Sequence, residues 1–143
     1  MDLALEEARA AQARGEVPVG AVLVNADGVV VARDGNRTLE LKDPTAHAET
    51  LVIRAACAAL GSERLTGHDL YVTLEPCTLC AAAISFARIR RLYYGADDPK
   101  MGAVEAGVRF FSSSSCHHAP QVISGLAATE SGVLLRDFFA KRR

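Results

Sequence analysis

The chain has 143 residues, of which 50% are apolar, and its formal net charge at pH 7 is −1. This length and apolar content suffice for a substantial core, and we expect a single domain over residues 1–143. The balanced charge gives no electrostatic indication of a nucleic-acid or membrane partner for the chain as a whole. Any basic binding surface must therefore be local.

The amino-terminal segment MDLALEEARAAQ (1–12) has no apolar run long enough for a signal peptide or a membrane span. We therefore expect a cytoplasmic protein with no membrane partner. The chain has four cysteines. In a reducing compartment, cysteines more often bind metal, act in catalysis or fill the core than form disulfides.

The first elements in chain order are a helix and a hairpin. Residues 2–14 are rich in Ala, Leu, Glu and Arg, which favour a helix, and Gly15 ends it. The β-branched runs at 17–24 and 29–33 predict two strands. Because Asn-Ala-Asp-Gly (25–28) separates them, we expect them to pair as a hairpin.

A second helix follows a break in the chain. Asp43 and Pro44 interrupt the pattern, and apolar positions over 46–60 then follow helical spacing until Gly61. Thr45 or Asp43 is a suitable amino-terminal cap for this helix.

The second half of the chain continues the alternation. It predicts a strand at 70–75, a helix at 78–88, a strand at 91–96, a possible strand at 121–126 and a helix at 129–141. Helices interleaved with apolar strands predict an α/β fold. We expect a three-layer α/β/α sandwich around a mixed sheet of about five strands, because the opening hairpin must be antiparallel.

The segment PTAHAETLVIRAA (44–56) places His47 and Glu49 at the start of the second helix. Side chains two positions apart diverge within a helix, but from the first turn both reach a target beyond its end. Taken alone, the pair is also explained by a core histidine and an acid stabilised by the helix dipole. A second motif is needed to decide.

The segment LEPCTLC (74–80) supplies that motif, because Cys77 and Cys80 lie at the next strand-to-helix turn, where helix amides stabilise thiolates. A redox C-x-x-C pair is one alternative, but it does not require His47. A structural zinc site is another, and it requires a fourth protein ligand. The segment 116–118 (Cys-His-His) is a possible source of that ligand, although its spacing is unlike known zinc motifs.

Three protein ligands and one open position form a catalytic zinc site. We expect His47, Cys77 and Cys80 to bind Zn²⁺, which acidifies a water in the fourth position into a nucleophile. Glu49, close to the metal but not bound to it, is suited to carry the proton of this water to the substrate. The sequence therefore predicts a hydrolytic enzyme.

These motifs resemble a known family. HAE followed by PCTLC is similar to the H-x-E…P-C-x-x-C signature of the cytidine deaminase-like zinc hydrolases, in which Glu is the general acid and base. Six stretches, spread over nearly the whole chain, resemble the bacterial tRNA-specific adenosine deaminases. They are EVPVGAVLV (16–24), NR (36–37), DPTAHAE (43–49), LYVTLEPCTLCAAAI (70–84), GADDPKMGA (95–103) and LLRDFFAKRR (134–143). The segment 108–122 differs in composition from that family.

The resemblance implies a cytidine deaminase-like fold, a homodimer, one Zn²⁺ per subunit and no organic cofactor. It implies conversion of the wobble adenosine of an arginine tRNA with an ACG anticodon to inosine, so that the partner is a tRNA anticodon stem-loop. It assigns Zn²⁺ to His47, Cys77 and Cys80 and the proton shuttle to Glu49. It assigns substrate contacts to Asn36, which would hydrogen-bond the adenine, and to Ala48, Asp98, Lys100, Arg142 and Arg143.

Two features bear on the RNA and on the dimer. Basic residues cluster at 88–91 and at 141–143, and they are either a phosphate-binding patch or solvated helix ends. The Ala-rich segment 81–88 is a possible dimer interface, because small side chains allow close approach.

The zinc motif alone does not determine the substrate. Enzymes that share it act on cytidine, deoxycytidylate, guanine or adenosine in RNA, and a guanine deaminase is the nearest alternative. A non-catalytic binding module stabilised by zinc is an alternative from a different class. It would show a fourth protein ligand, and Glu49 would be dispensable.

Overall fold

The computed structural model describes residues 1–142 of the chain. The helices are α1 (Asp2–Ala13), α2 (Ala48–Leu60), α3 (Thr78–Phe86) and α4 (Ala128–Ala140), with a short 3₁₀ helix at Phe110–Ser112. The strands are β1 (Gly20–Val24), β2 (Val30–Gly35), β3 (Asp69–Leu74), β4 (Arg91–Ala96) and β5 (Gln121–Ile123).

The strands form one mixed sheet in the order β2-β1-β3-β4-β5. Strand β1 runs antiparallel to β2 and β3, whereas β3, β4 and β5 are parallel. The predicted five-stranded mixed sheet is therefore confirmed. Leu74 pairs with Ala96, so the carboxyl ends of β3 and β4 lie at the same edge.

Helices α2 and α3 cover one face of the sheet, where the main apolar core lies. Alternate residues of each strand point to this face, as the period of two in a strand requires. The core contains Leu23 of β1, Val72 of β3 and Leu92 of β4, packed with Val52 of α2 and Ile84 of α3. These five side chains are almost completely buried.

Helices α1 and α4 cover the opposite face and complete the predicted three layers. Helix α1 lies directly on the backbone of β1. A Cβ atom at Gly20 would come within 2.0 Å of the carbonyl oxygen of Ala4, so a side chain at this position is excluded. Within residues 1–142, no helix combines the length and the hydropathy needed to cross a membrane.

Several predicted boundaries differ from the structure by two or more residues. Strand β2 runs over Val30–Gly35 rather than 29–33, and helix α2 begins at Ala48 rather than at residue 46. Strand β1 begins at Gly20 rather than at residue 17. Helix α3 ends at Phe86 rather than at residue 88, because Arg88 has a left-handed φ of 62°. The predicted strand at 121–126 has only the three residues of β5.

The predicted cap of α2 is wrong, since the helix begins after His47. Asp43 and Thr45 instead form the turn that precedes it. The carboxylate of Asp43 accepts hydrogen bonds from the backbone N–H and the hydroxyl of Thr45 at 2.8 and 2.7 Å. This turn fixes the direction in which the chain enters the helix.

Candidate active site

Two helices begin at the same edge of the sheet and bring the two motifs together. His47 is the N-cap of α2 and Cys77 is the N-cap of α3, and both have extended backbone conformations. Glu49 and Cys80 lie in the first turns of these helices. The first-turn positions allow all four side chains to converge, as the sequence predicted.

The ligand atoms of His47, Cys77 and Cys80 lie within 4.8 Å of one another. Nδ1 of His47 is 3.6 Å from Sγ of Cys77 and 3.4 Å from Sγ of Cys80. With Zn–S near 2.3 Å and Zn–N near 2.0–2.1 Å, tetrahedral zinc places a nitrogen and a sulfur ligand about 3.6 Å apart. The three residues are therefore positioned to hold a zinc ion, and their donor atoms are those that zinc prefers.

The two cysteines differ in acidity. A hydrogen bond with Cys80 lowers the pKa of the Cys77 thiol to about 4, although burial acts in the opposite direction. The same hydrogen bond, together with burial, raises the pKa of Cys80. Cys77 is therefore a thiolate at neutral pH, and a coordinated metal ion deprotonates a second thiol.

Glu49 adjoins this cluster without belonging to it. Its carboxyl group is buried, with 5% of the residue exposed. Burial raises the pKa of Glu49, and the negative charge of Cys77 acts in the same direction. Within residues 1–142, the group of potential metal ligands contains only the histidine and the two cysteines.

The segment 116–118 lies elsewhere and supplies no fourth ligand within the described part of the chain. Sγ of Cys116 is 3.5 Å from the hydroxyl of Ser85. Nε2 of His118 is 2.8 Å from the carbonyl oxygen of Ile89. These contacts attach the segment to the end of α3.

A cavity of about 290 Å³ opens beside the cluster. Its metal side is formed by His47, Glu49 and Cys77. The facing wall includes Asn36 and Thr38 from one loop and Asp98 and Met101 from another. A larger cavity, about 460 Å³, lies beside Asp69 and Arg90 at the opposite end of β3, far from the zinc ligands. We assign the chemistry to the smaller cavity, because it contains the reactive groups.

The predicted substrate contacts lie at different depths. Asn36 is buried and its side-chain amide is 3.4 Å from the hydroxyl of Thr38. Ala48 is completely buried in the first turn of α2. Asp98 lines the cavity, and its carboxylate accepts hydrogen bonds from the backbone N–H groups of Lys100 and Met101. Lys100 is exposed outside the cavity.

The basic residues fall into two separate places. The guanidinium of Arg142 stacks 3.7 Å from the ring centroid of Phe138 and donates to the carbonyl of Gly15. Arg143 lies outside the described residues. Arg90 forms a two-bonded ion pair with Asp69 at the end of the sheet away from the zinc ligands. The structure thus does not bring the 88–91 cluster to the cavity.

Sequence reasoning missed two buried carboxylates beside the cavity. Glu16 is 1% exposed and accepts backbone N–H groups of Leu39 and Glu40 at 3.1 and 2.8 Å. Glu75 is 2% exposed and accepts four backbone N–H groups of the loop 98–106. Burial acts to raise the pKa of Glu75, but these four bonds prevail and lower it. The sequence did carry a signal for these two residues, because each glutamate stands at one end of an apolar strand segment.

Comparison with known proteins agrees with this geometry. The family described as "Cytidine and deoxycytidylate deaminase zinc-binding region" matches residues 1–96. A tRNA-specific adenosine deaminase from Agrobacterium fabrum is 72% identical over 143 residues, which cover 100% of this chain and 93% of that protein.

Two solved structures are similar to this chain. One comes from a study of A-to-I editing by tRNA:A34 deaminases at the wobble position of transfer RNA. It matches with a TM-score of 0.93 and 73% identity, over 94% of this chain and 97% of that chain. The other, a guanine deaminase from Bacillus subtilis, matches with a TM-score of 0.66 and 33% identity, over 99% of this chain and 90% of that chain. The chain therefore belongs to the tRNA-specific adenosine deaminases, within the family of zinc-binding cytidine and deoxycytidylate deaminases.

Proposed function

We propose that this protein hydrolyses adenosine to inosine at the wobble position of a tRNA anticodon, with release of ammonia. The arginine tRNA with the ACG anticodon is the proposed substrate, and residues 1–143 form a single deaminase domain in the cytoplasm. The observation that supports this most strongly is the convergence of His47, Cys77 and Cys80 beside the buried Glu49. The similarity to tRNA-specific deaminases over the whole chain supports the choice of substrate.

The proposed roles follow from the positions of the side chains. His47, Cys77 and Cys80 would hold the zinc ion, and a bound zinc supplies a water that is acidic enough to attack near neutral pH. Glu49 would carry one proton of this water to the purine ring nitrogen. It would then carry the second proton, from the hydroxyl group formed on the base, to the amine that leaves as ammonia. Burial favours the protonated form of Glu49, which is the form that must donate.

The cavity is suited to a single base. Its volume of about 290 Å³ is at the small end of the range for ligand pockets, so it accepts a base rather than a whole folded loop. An anticodon loop presents bases that are already unpaired and can enter such a pocket at low cost. Asn36, which lines the cavity, is the proposed base-reading residue. The backbone N–H of Ala48, in the first turn of α2, is a second proposed contact with the substrate. Asp98 and Lys100 belong to the loop proposed to contact the anticodon strand.

The proposed assembly is a homodimer formed through α3. Leu79 and Phe86 are 42% and 65% exposed and lie seven residues apart, so they share one face of the helix. Partly buried alanines lie between them. This face of α3 is therefore apolar, and its small side chains would allow a second chain to pack closely against it. Light scattering at micromolar concentration should give the mass of two chains, and a single-chain mass would contradict this proposal.

The substrate is tested by one set of parallel incubations. We expect the purified protein to form inosine in an arginine tRNA with an ACG anticodon, and to leave free guanine, adenosine and cytidine unchanged. The products inosine, xanthine and uridine are measured by liquid chromatography and mass spectrometry. Release of xanthine from guanine with an unmodified tRNA would instead identify a guanine deaminase, the alternative that the Bacillus subtilis structure keeps relevant.

A further inference from the structure

We infer that Glu75 is a positioning residue for the substrate pocket. Its buried carboxylate fixes the loop 98–106 to the segment that carries the metal ligand Cys77. The cavity wall and the metal site thereby form one rigid unit. This inference rests on the proposed function, because it concerns how that pocket holds its substrate.

The carboxylate of Glu75 binds both ends of the loop. Oε1 accepts the backbone N–H of Asp98 at 3.0 Å. Oε2 accepts the backbone N–H groups of Val104, Glu105 and Ala106 at 3.2, 2.9 and 2.9 Å. Charge-assisted hydrogen bonds in a buried site are stronger than neutral ones. One side chain therefore holds the path of the whole loop.

Further contacts join the same two segments. The backbone N–H of Ala103 donates to the carbonyl of Pro76 at 2.9 Å, and Gly102 forms a β-bridge with Cys77. A Cβ atom at Gly102 would come within 2.5 Å of the carboxyl carbon of Glu75. The absence of a side chain at Gly102 thus allows the loop to approach the carboxylate.

Glu75 is unsuited to proton transfer, although it lines the cavity. A carboxylate has about four acceptor positions. Three backbone N–H groups donate to Oε2 of Glu75 and one donates to Oε1, and together they favour the ionised carboxylate over the protonated form that could donate. The remaining task for this residue is to place Asp98 and Met101, which form the cavity wall on the side of the loop.

The test compares the Glu75→Gln variant with the wild-type protein loaded with zinc. Glutamine keeps the volume but replaces one carboxylate oxygen by an amide NH2 group, which donates and therefore repels the N–H donors that it faces. We expect backbone amides of residues 98–106 to exchange with deuterium about tenfold faster, while zinc content stays at one per chain. We expect the KM to rise about tenfold, which corresponds to the free energy of one charge-assisted hydrogen bond. The change in kcat should be smaller. The KM is measured on whichever substrate the parallel incubations identify, so that a wrong proposed function does not conceal the result.

The matched control is Asp69→Asn, which removes another buried, hydrogen-bonded carboxylate at the far end of the sheet. It should lower the melting temperature and leave both the loop exchange and the KM unchanged. Gly102→Ala is a second variant that displaces the same carboxylate, and it should reproduce the effect of Glu75→Gln. Unchanged exchange in the loop, or faster exchange with an unchanged KM, would overturn the inference. A large fall in kcat at constant KM would also overturn it, because that pattern indicates proton transfer.

Discussion

Replacement of Glu49 by alanine should lower the rate of deamination about 10²–10⁴-fold, the range that general acid–base catalysis contributes. The zinc content should stay at one per chain, because Glu49 is not among the residues positioned to hold the metal. The loss has a specific cause: Glu49 is the buried carboxyl group that adjoins the metal ligands, and alanine cannot take the proton of the attacking water. Single-turnover kinetics on the tRNA substrate and metal analysis of the same sample measure both quantities.

Glu63→Ala is the control for this variant, since its carboxylate lies on the surface just beyond α2. Its rate should remain within about twofold of wild type, as is usual for exposed positions. If the Glu49→Ala protein deaminates its substrate at a rate close to wild type, the proposed mechanism is wrong.

Replacement of Cys80 by alanine should remove the zinc and with it all measurable turnover. Cys80 is completely buried, and its sulfur faces His47 Nδ1 at 3.4 Å. Losing one of three protein ligands leaves too few donors to hold the metal. Because metal binding free energy also stabilises the fold, the melting temperature should fall as well.

Cys116→Ala provides the matched cysteine control. Cys116 contacts Ser85 and the carbonyl of His118 rather than the metal cluster. This variant should keep one zinc per chain and full activity. Zinc loss in Cys116→Ala, or zinc retention in Cys80→Ala, would contradict the assigned ligand set.

The metal cluster could be predicted from the sequence because its residues lie at the amino-terminal ends of two helices. His47 with Glu49, and Cys77 with Cys80, each lie within a single turn, so spacing alone indicated convergence. The order of helices and strands could be predicted from the sequence for a similar reason. Apolar periodicity is a local property, and it located the four α-helices and five strands of residues 1–142 to within a few residues.

Contacts between residues that are far apart in the chain could not be predicted in this way. Glu75 bonds with residues 23 to 31 positions further along the chain, and no local pattern records those contacts. Likewise, Arg90 is in a basic run by sequence, but its pairing with Asp69 depends on strand register. Glu16 depends on the path of the loop after β2.

The start of β1 shows how tertiary structure overrides propensity. The β-branched run from Val17 predicts a longer strand, but Pro18 has no N–H to donate. The N–H of Val19 bonds back to the carbonyl of Val17. Val17 and Val19 line the cavity instead of extending the sheet, so this departure from the pattern occurs at the site itself.

The most direct test of the central claim is the zinc coordination sphere, measured by X-ray absorption at the zinc edge on the purified protein. An open catalytic site predicts two sulfur ligands near 2.3 Å and two nitrogen or oxygen ligands at about 2.0–2.1 Å, with the scattering of a single imidazole. One of the two nitrogen or oxygen ligands is then His47, and the other is a water in the position that an open catalytic site provides. A third sulfur, or the scattering of a second imidazole, would show four protein ligands and a closed structural site, and it would contradict the assignment of this protein as a deaminase.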